Sequence, residues 1–281
     1  MKHRFDVRVG PVTFRVGSAW RSPVAALEQL YADYPPTASI PDYTVRLEPD
    51  KPWRRLIRPS VAIRGDHILP DALPLPLAQG LLAAEMGMNL QLALGERRFL
   101  LLHAASVEKD GQGLILTGES GSGKSTLSAL LGVNGWRFMG DEFVLLDPES
   151  GVMLPFSRPV SLKNASIAAL EAILPDSRFG PRLLGTPKGD IRHLKPDVAA
   201  IAAMDRPATP RLILFPRFGF EAAVRDVPPG EAFVRLTQAS TNYTTLGERG
   251  FDALTRLVTS VPAKALDYPD TVQALKMVAS L

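Results

Sequence analysis

LILTGESGSGKSTLSALL, residues 114–131, decides the architecture of this 281-residue chain. Leu114 to Thr117 are apolar or β-branched and read as a buried strand. They run straight into Gly118-Glu119-Ser120-Gly121-Ser122-Gly123-Lys124-Ser125, which fits the phosphate-loop pattern G-x-x-x-x-G-K-[ST]. Lys124 to about Val133 then reads as a helix, with Asn134-Gly135 as its stop. The chemistry demands these residue types. Glycines let successive backbone N–H groups turn inward around phosphate oxygens, and the helix N-terminus adds a partial positive charge. Lys124 is expected to reach the outer phosphates, Ser125 to offer a hydroxyl to Mg²⁺, and Thr126 to touch an inner phosphate. The expected ligand is a nucleoside triphosphate with magnesium. No base-reading motif separates ATP from GTP.

Working outward, WRFMG reads as a strand with Asp141-Glu142 at its tip. An adjacent carboxylate pair beside bound phosphates can divide the labour, one ligating Mg²⁺ while the other accepts a proton from an attacking hydroxyl. Asp147 ends the apolar run FVLLD, which resembles a Walker B strand that would hold the metal, but it precedes Pro148, and the favoured reading is the start of a turn. FVLLD and VMLPF flank that turn as a hairpin. Upstream, residues 75–95 read as a packed helix with Leu77, Leu81, Ala84, Met88 and Leu92 on one face. RFLLLHAASVEK follows as a strand and carries His103. Downstream, NASIAALEAIL reads as a helix. GPRLLGTPKGD reads as a polar loop whose Lys188 either closes over the γ-phosphate or is solvated, with Arg192 and His193 just beyond. RLILF is a buried-strand candidate, and Arg217 after it either faces the nucleotide or is solvated. The C-terminal part alternates: strand at 222–226, helix at 230–239, helix at 247–259, strand at 263–268 and a last helix. Asn242 and Tyr243 either read a base or acceptor or cap the following helix; Phe215 and Phe218 read as core. Strands on both sides of the glycine loop, and the hairpin after it, predict a mixed sheet.

The front third, with strand pieces around Gly10-Pro11, YTVRLEP, RRLIRPSVAIRG and DHILP and a helix from SPVAALEQLYADY, carries no catalytic signature. The expected division is a small α+β region over 1–72 and a nucleotide core over 73–281. The 32 basic and 29 acidic residues leave a net charge of only +3, without a basic run or aromatic stripe, so no nucleic-acid partner is expected. The absence of cysteine excludes disulfides, thiol catalysis and Cys-ligated zinc. No pair of the four histidines has metal-site spacing. The N-terminus lacks an apolar signal segment, and the longest apolar stretch, 73–94, is broken by polar residues. No membrane association and a cytoplasmic location are therefore expected.

LLHAASV, GLILTGESGSGKSTLSALL and GWRFMGDEFVLL together resemble the catalytic core of HPr kinase/phosphorylase, and within that superfamily the HPr kinase-related kinases. The resemblance runs over roughly residues 98–160 and is looser over TPKGDIRHLKP, RLILF and the C-terminal NY and DYPD segments. It implies an α/β P-loop core with a mixed sheet flanked by helices, and a homo-oligomer. It also implies Asp141 as general base, Glu142 as a magnesium ligand where the family has Asp, and His103 beside the reacting phosphate. The glycine- and arginine-rich C-terminal signature of the HPr kinases is missing, so neither HPr as substrate nor phosphorolysis is expected. The expected activity is ATP- and Mg²⁺-dependent transfer of the γ-phosphate to a hydroxyl, foremost a serine of a peptide or protein, or free serine. The alternatives are an ATPase or GTPase, and a nucleotide-sensing module without transfer.

Overall fold

Alternating apolar residues build the first elements as a hairpin. β1 (His3–Val9) and β2 (Val12–Ser18) pair antiparallel around a turn at Gly10, whose φ of 53° lies in the left-handed region. Val9, Val12, Phe14 and Val16 of this pair are fully buried. α1 (Arg21–Leu30) follows, then β3 (Tyr43–Pro49), β4 (Ser60–Gly65) and β5 (Leu75–Pro76), giving a mixed sheet in the order β1-β2-β3-β4-β5. α2 (Gly80–Gly95) lies on this sheet. Gly87 makes the close approach possible, since a Cβ there would stand 2.6 Å from the Val45 side chain and 3.1 Å from that of Ile63. The Gln91 amide accepts from the His67 backbone N–H (2.7 Å) and donates to its carbonyl (2.8 Å).

The computed structural model describes residues 2–68 and 72–281. It divides the chain into two compact units, residues 1–96 with 161–195, and residues 97–160 with 196–281. Because α2 is tied to the first sheet by Gly87 and Gln91, the expected boundary at 72/73 falls inside the first unit. Leu69 and Pro70, the end of the expected strand DHILP, lie outside the described residues.

The chain enters the second unit with β6 (Leu100–Leu102), β7 (Ala104–Lys109), β8 (Gln112–Thr117), α3 (Lys124–Val133), β9 (Arg137–Gly140), β10 (Val144–Leu146) and β11 (Met153–Leu154). β10 and β11 form the expected hairpin. Asp147 starts its turn by accepting from Glu149 N (3.0 Å) and Ser150 Oγ (2.8 Å). The Glu149 amide bond, aided by Ser150, holds this carboxyl below the ordinary aspartate value.

β12 (Val160–Lys163), α4 (Ala165–Glu171), β13 (Phe179–Thr186) and β14 (Gly189–Leu194) then complete the first unit, with sheet order β12-β14-β13. The segment expected as a loop, 180–190, is therefore a β-hairpin. Its glycines and prolines mask a strand that buries Phe179 opposite Leu194 and Leu183 opposite Ile191. Arg182 and Arg192 from the two strands both hold Glu171, at 2.7 and 2.6 Å.

The second unit closes with α5 (Val198–Ala202), β15 (Thr209–Phe218), β16 (Ala223–Val227), α6 (Pro229–Ala239), α7 (Tyr243–Leu246), α8 (Glu248–Ser260), β17 (Ala263–Tyr268) and α9 (Thr271–Ala279). Its main sheet runs β16-β17-β15-β8-β7-β9. β15 is parallel to β8 and β17, whereas β7 is antiparallel to β8 and β9 and β16 is antiparallel to β17. The expected mixed α/β arrangement is thus present. One face packs Ile115, Ile213, Phe215 and Ala265 with Leu236, Leu254 and Leu257 of α6 and α8 in a single apolar cluster. Among the described residues no helix is long and apolar enough to cross a membrane.

Candidate active site

Strand direction gathers the candidate residues at one edge of the second unit's sheet. β8, β15, β17 and β9 all end there, and antiparallel β7 begins there. Ala104 pairs with Thr117, Ser106 with Gly140, and Arg217 with Asp267. His103 therefore stands beside the start of the glycine loop. Asp141-Glu142 emerges two strands to one side of it, and Arg217 with Asp267 emerges on the other.

Residues 118–123 form the turn between β8 and α3. Gly118, Gly121 and Gly123 adopt φ of 152°, 85° and 96°, a region that favours glycine. Gly121 opens onto free space, with no atom within 4 Å of where a Cβ would stand. At Gly123 a Cβ would overlap the Tyr268 hydroxyl and come within 3.3 Å of Phe218 Cβ. The loop is braced by Ser122 N to Glu119 O (3.3 Å) and Phe218 N to Ser122 O (3.2 Å). Lys124 is buried, and its Nζ donates to the carbonyls of Gly118 (2.7 Å) and Glu119 (2.9 Å). The ammonium thus sits against the inner rim of the loop. Ser125 and Thr126 follow in the first turn of α3, both partly exposed. The Ser122 hydroxyl is buried and makes no hydrogen bond to another protein group. A left-handed glycine turn, a buried ammonium, an orphan hydroxyl and a helix N-terminus together fit a polyphosphate.

Backbone packing fixes the acids. A Cβ on Gly140 would lie 3.0 Å from Phe143 O and 3.1 Å from Phe156 O, so any side chain there would push the surrounding backbone aside. Phe156 N donates to Met139 O (2.7 Å), and Ser157 Oγ reaches the carbonyls of Phe138 and Met139, each at 3.2 Å. This clamp buries Asp141 and leaves Glu142 partly exposed. His103 Nε2 is 3.5 Å from Glu142 Oε2, and its ring lies edge-on to Phe143. His103 itself occupies the break between β6 and β7, half-exposed, with its backbone N–H on Ala239 O (2.8 Å). Among the described residues no three or more His, Asp or Glu side chains converge to hold a metal by themselves. The oxygen-bearing residues expected to hold a phosphate-bound cation, Ser125, Asp141 and Glu142, stand at the start of α3 and just past β9.

A cleft of about 980 Å³ opens over the loop, lined by His103, Thr117 to Ser122, Phe218, Phe220, Arg217, Arg225 and Arg235. Phe215 is core, as expected. Phe218 is not: it is the last residue of β15, paired with Tyr268 at the open end of the sheet, and is 52% exposed. Arg217 grips Asp267 with both carboxylate oxygens engaged (2.8 and 2.7 Å) and covers the Phe220 ring. Arg225, Arg235 and Asp267 carry no sequence signal, since only strand register and helix phase bring them here.

The remaining candidates occupy other elements. Asn242 is buried and braces β6, accepting from Leu101 N (2.9 Å) and donating to Phe99 O (2.8 Å). Its side chain does not cap α7. Tyr243 packs against the second unit's core. Lys188 is exposed in the two-residue turn between β13 and β14, in the first unit. Arg192 is held by Glu171 and Asp176, at 2.6 Å each, and His193 is buried.

No family model matches this chain, and no curated protein matches it. Among solved structures the chain is similar to the Hpr(Ser) kinase/phosphatase from Coxiella burnetii, at 15% identity and a TM-score of 0.28, covering 64% of this chain and 95% of that one. A likeness of that size carries no argument about the site.

Proposed function

We propose that this chain is an ATP- and Mg²⁺-dependent phosphotransferase acting on a hydroxyl, foremost that of serine. One observation carries the reading: a buried aspartate, Asp141, shares a sheet edge with a glycine turn and its buried lysine. Loop amides and Lys124 position the phosphates. Ser125 and Glu142 would hold the magnesium ion, which when bound offsets phosphate charge. His103 orients the Glu142 carboxylate. Asp141 accepts the acceptor's hydroxyl proton as that oxygen bonds to the γ-phosphorus. The bond from γ-phosphorus to the β–γ bridging oxygen breaks, and its electron pair leaves with ADP. Transfer of this kind needs positioning and charge stabilisation more than covalent help from the protein. The sequence resemblance supports the roles of Asp141 and Glu142, and it places His103 beside the reacting phosphate.

The test is incubation with γ-labelled ATP and Mg²⁺, offering free serine, serine peptides and a cell lysate in parallel. Label is expected on one acceptor. Asp141→Asn should keep nucleotide affinity and lower transfer by about 10²–10⁴-fold. Lys124→Ala should lower nucleotide affinity by roughly ten- to a hundredfold, since it removes charge-assisted hydrogen bonds, and activity should fall with it. Label released only as free phosphate would replace the kinase by an ATPase. Full transfer by the Asp141 variant would refute its role as base.

A further inference from the structure

The three arginines of the cleft have no part in the mechanism above, yet they are pre-set. Arg217 Nη2 and Arg225 Nη2 converge on one carboxylate oxygen, Asp267 Oδ2, at 2.7 and 2.9 Å. Asp267 is buried, while the two guanidiniums stay 51% and 54% exposed. One carboxylate therefore anchors two cations from behind and leaves a positive excess at the mouth. Arg235, on the face of α6 that also carries Gln238, lies over the Phe215 ring and joins them. Arg235 is paired with Glu231 one turn earlier on α6, so the positive excess comes from Arg217 and Arg225 sharing the one Asp267 carboxylate, with Glu119 across the lining. Guanidinium forks held by a carboxylate and aromatic rings lose little freedom on meeting an oxyanion.

We propose that Arg217, Arg225 and Arg235 form a second anion subsite, distinct from the glycine loop, and that it recognises a carboxylate or phosphate carried by the acceptor. This rests on the phosphotransferase reading. The substrate is then a hydroxyl compound or serine segment with a negative group near the hydroxyl. Basic or neutral acceptors leave the excess charge uncompensated and bind less well.

Inorganic phosphate is the probe. The glycine loop is first saturated with a non-hydrolysable ATP analogue and Mg²⁺, and phosphate is titrated in by calorimetry and ³¹P line broadening. One phosphate is expected to bind the loaded protein. Arg225→Gln should weaken it about tenfold or more, as loss of a charge-assisted hydrogen bond implies, and Arg225→Lys should restore part of that. The affinity for a fluorescent ATP analogue should be unchanged in both variants. Displacement of phosphate by an aspartate-flanked serine peptide identifies a peptide carboxylate as the natural anion, and displacement by glycerol 3-phosphate identifies a small phosphorylated acceptor. The proposal is overturned if phosphate does not bind the loaded protein, if Arg225→Gln leaves its binding unchanged, if neither competitor displaces it, or if the variant weakens the nucleotide instead. Failure of the nucleotide to bind the wild-type protein would refute the phosphotransferase reading itself, before the subsite is reached.

Discussion

Gly123→Ala tests whether the loop's shape is imposed by its surroundings. Two effects add. The residue keeps φ at 96°, where a Cβ costs about 1–2 kcal/mol. The new methyl also overlaps the Tyr268 hydroxyl and crowds Phe218 Cβ at 3.3 Å. Tyr268 is 2% exposed and pinned in the core, so its ring yields little, and overpacking of this kind costs about 1–3 kcal/mol. The expected destabilisation is roughly 2–5 kcal/mol, measured by urea unfolding with the m-value checked for constancy. The two parts separate in a Tyr268→Phe background. Removing the hydroxyl relieves the overlap but not the backbone strain, so the cost of Gly123→Ala should fall to about 1–2 kcal/mol. A single-variant effect below about 0.5 kcal/mol, or a strictly additive double variant, would refute the packing argument. Nucleotide affinity should fall in Gly123→Ala and recover only in part in the double variant.

Gly140→Ala faces backbone rather than a movable side chain, with carbonyl oxygens at 3.0 and 3.1 Å. It is expected to destabilise by about 1–3 kcal/mol and to displace Asp141, so transfer should drop while nucleotide binding holds; wild-type transfer rates would contradict this. The hydrogen bond from Arg217, then that from Arg225, holds the Asp267 carboxyl below its ordinary value of 3.8. A depressed carboxyl contributes stability that is fully present above pH 3.8 and lost as pH falls through the folded-state value. The stability gap between wild type and Asp267→Asn should therefore be largest near neutrality and shrink below pH 3.8; a gap that widens on acidification would reverse the assignment.

Chemistry that depends on consecutive residues was legible in the sequence. G-x-x-x-x-G-K-S specifies a turn, an ammonium and a helix start within eight positions, and all are local. The helix after it, the hairpin at Asp147 and the strands RLILF and Ala263–Tyr268 follow from periodicity for the same reason. Other features were not legible. The 180–190 hairpin hides behind glycine and proline, because its strand character comes from burying Phe179 and Leu183 against a partner strand. The domain boundary depends on where α2 packs, which only Gly87 and Gln91 meeting their neighbours decide. The arginine cleft is the clearest case. Arg217, Arg225, Arg235 and Asp267 span fifty positions from Arg217 to Asp267, on three strands and a helix. Their juxtaposition is set by parallel pairing of β15 with β17 and antiparallel return of β16, long-range contacts that no local pattern encodes. The sequence by itself determined that a glycine turn with a lysine at a helix start exists and which residues compose it. Only the tertiary structure decided what faces that turn, because strand order and direction, not proximity in the chain, choose which ends meet at one edge of a sheet.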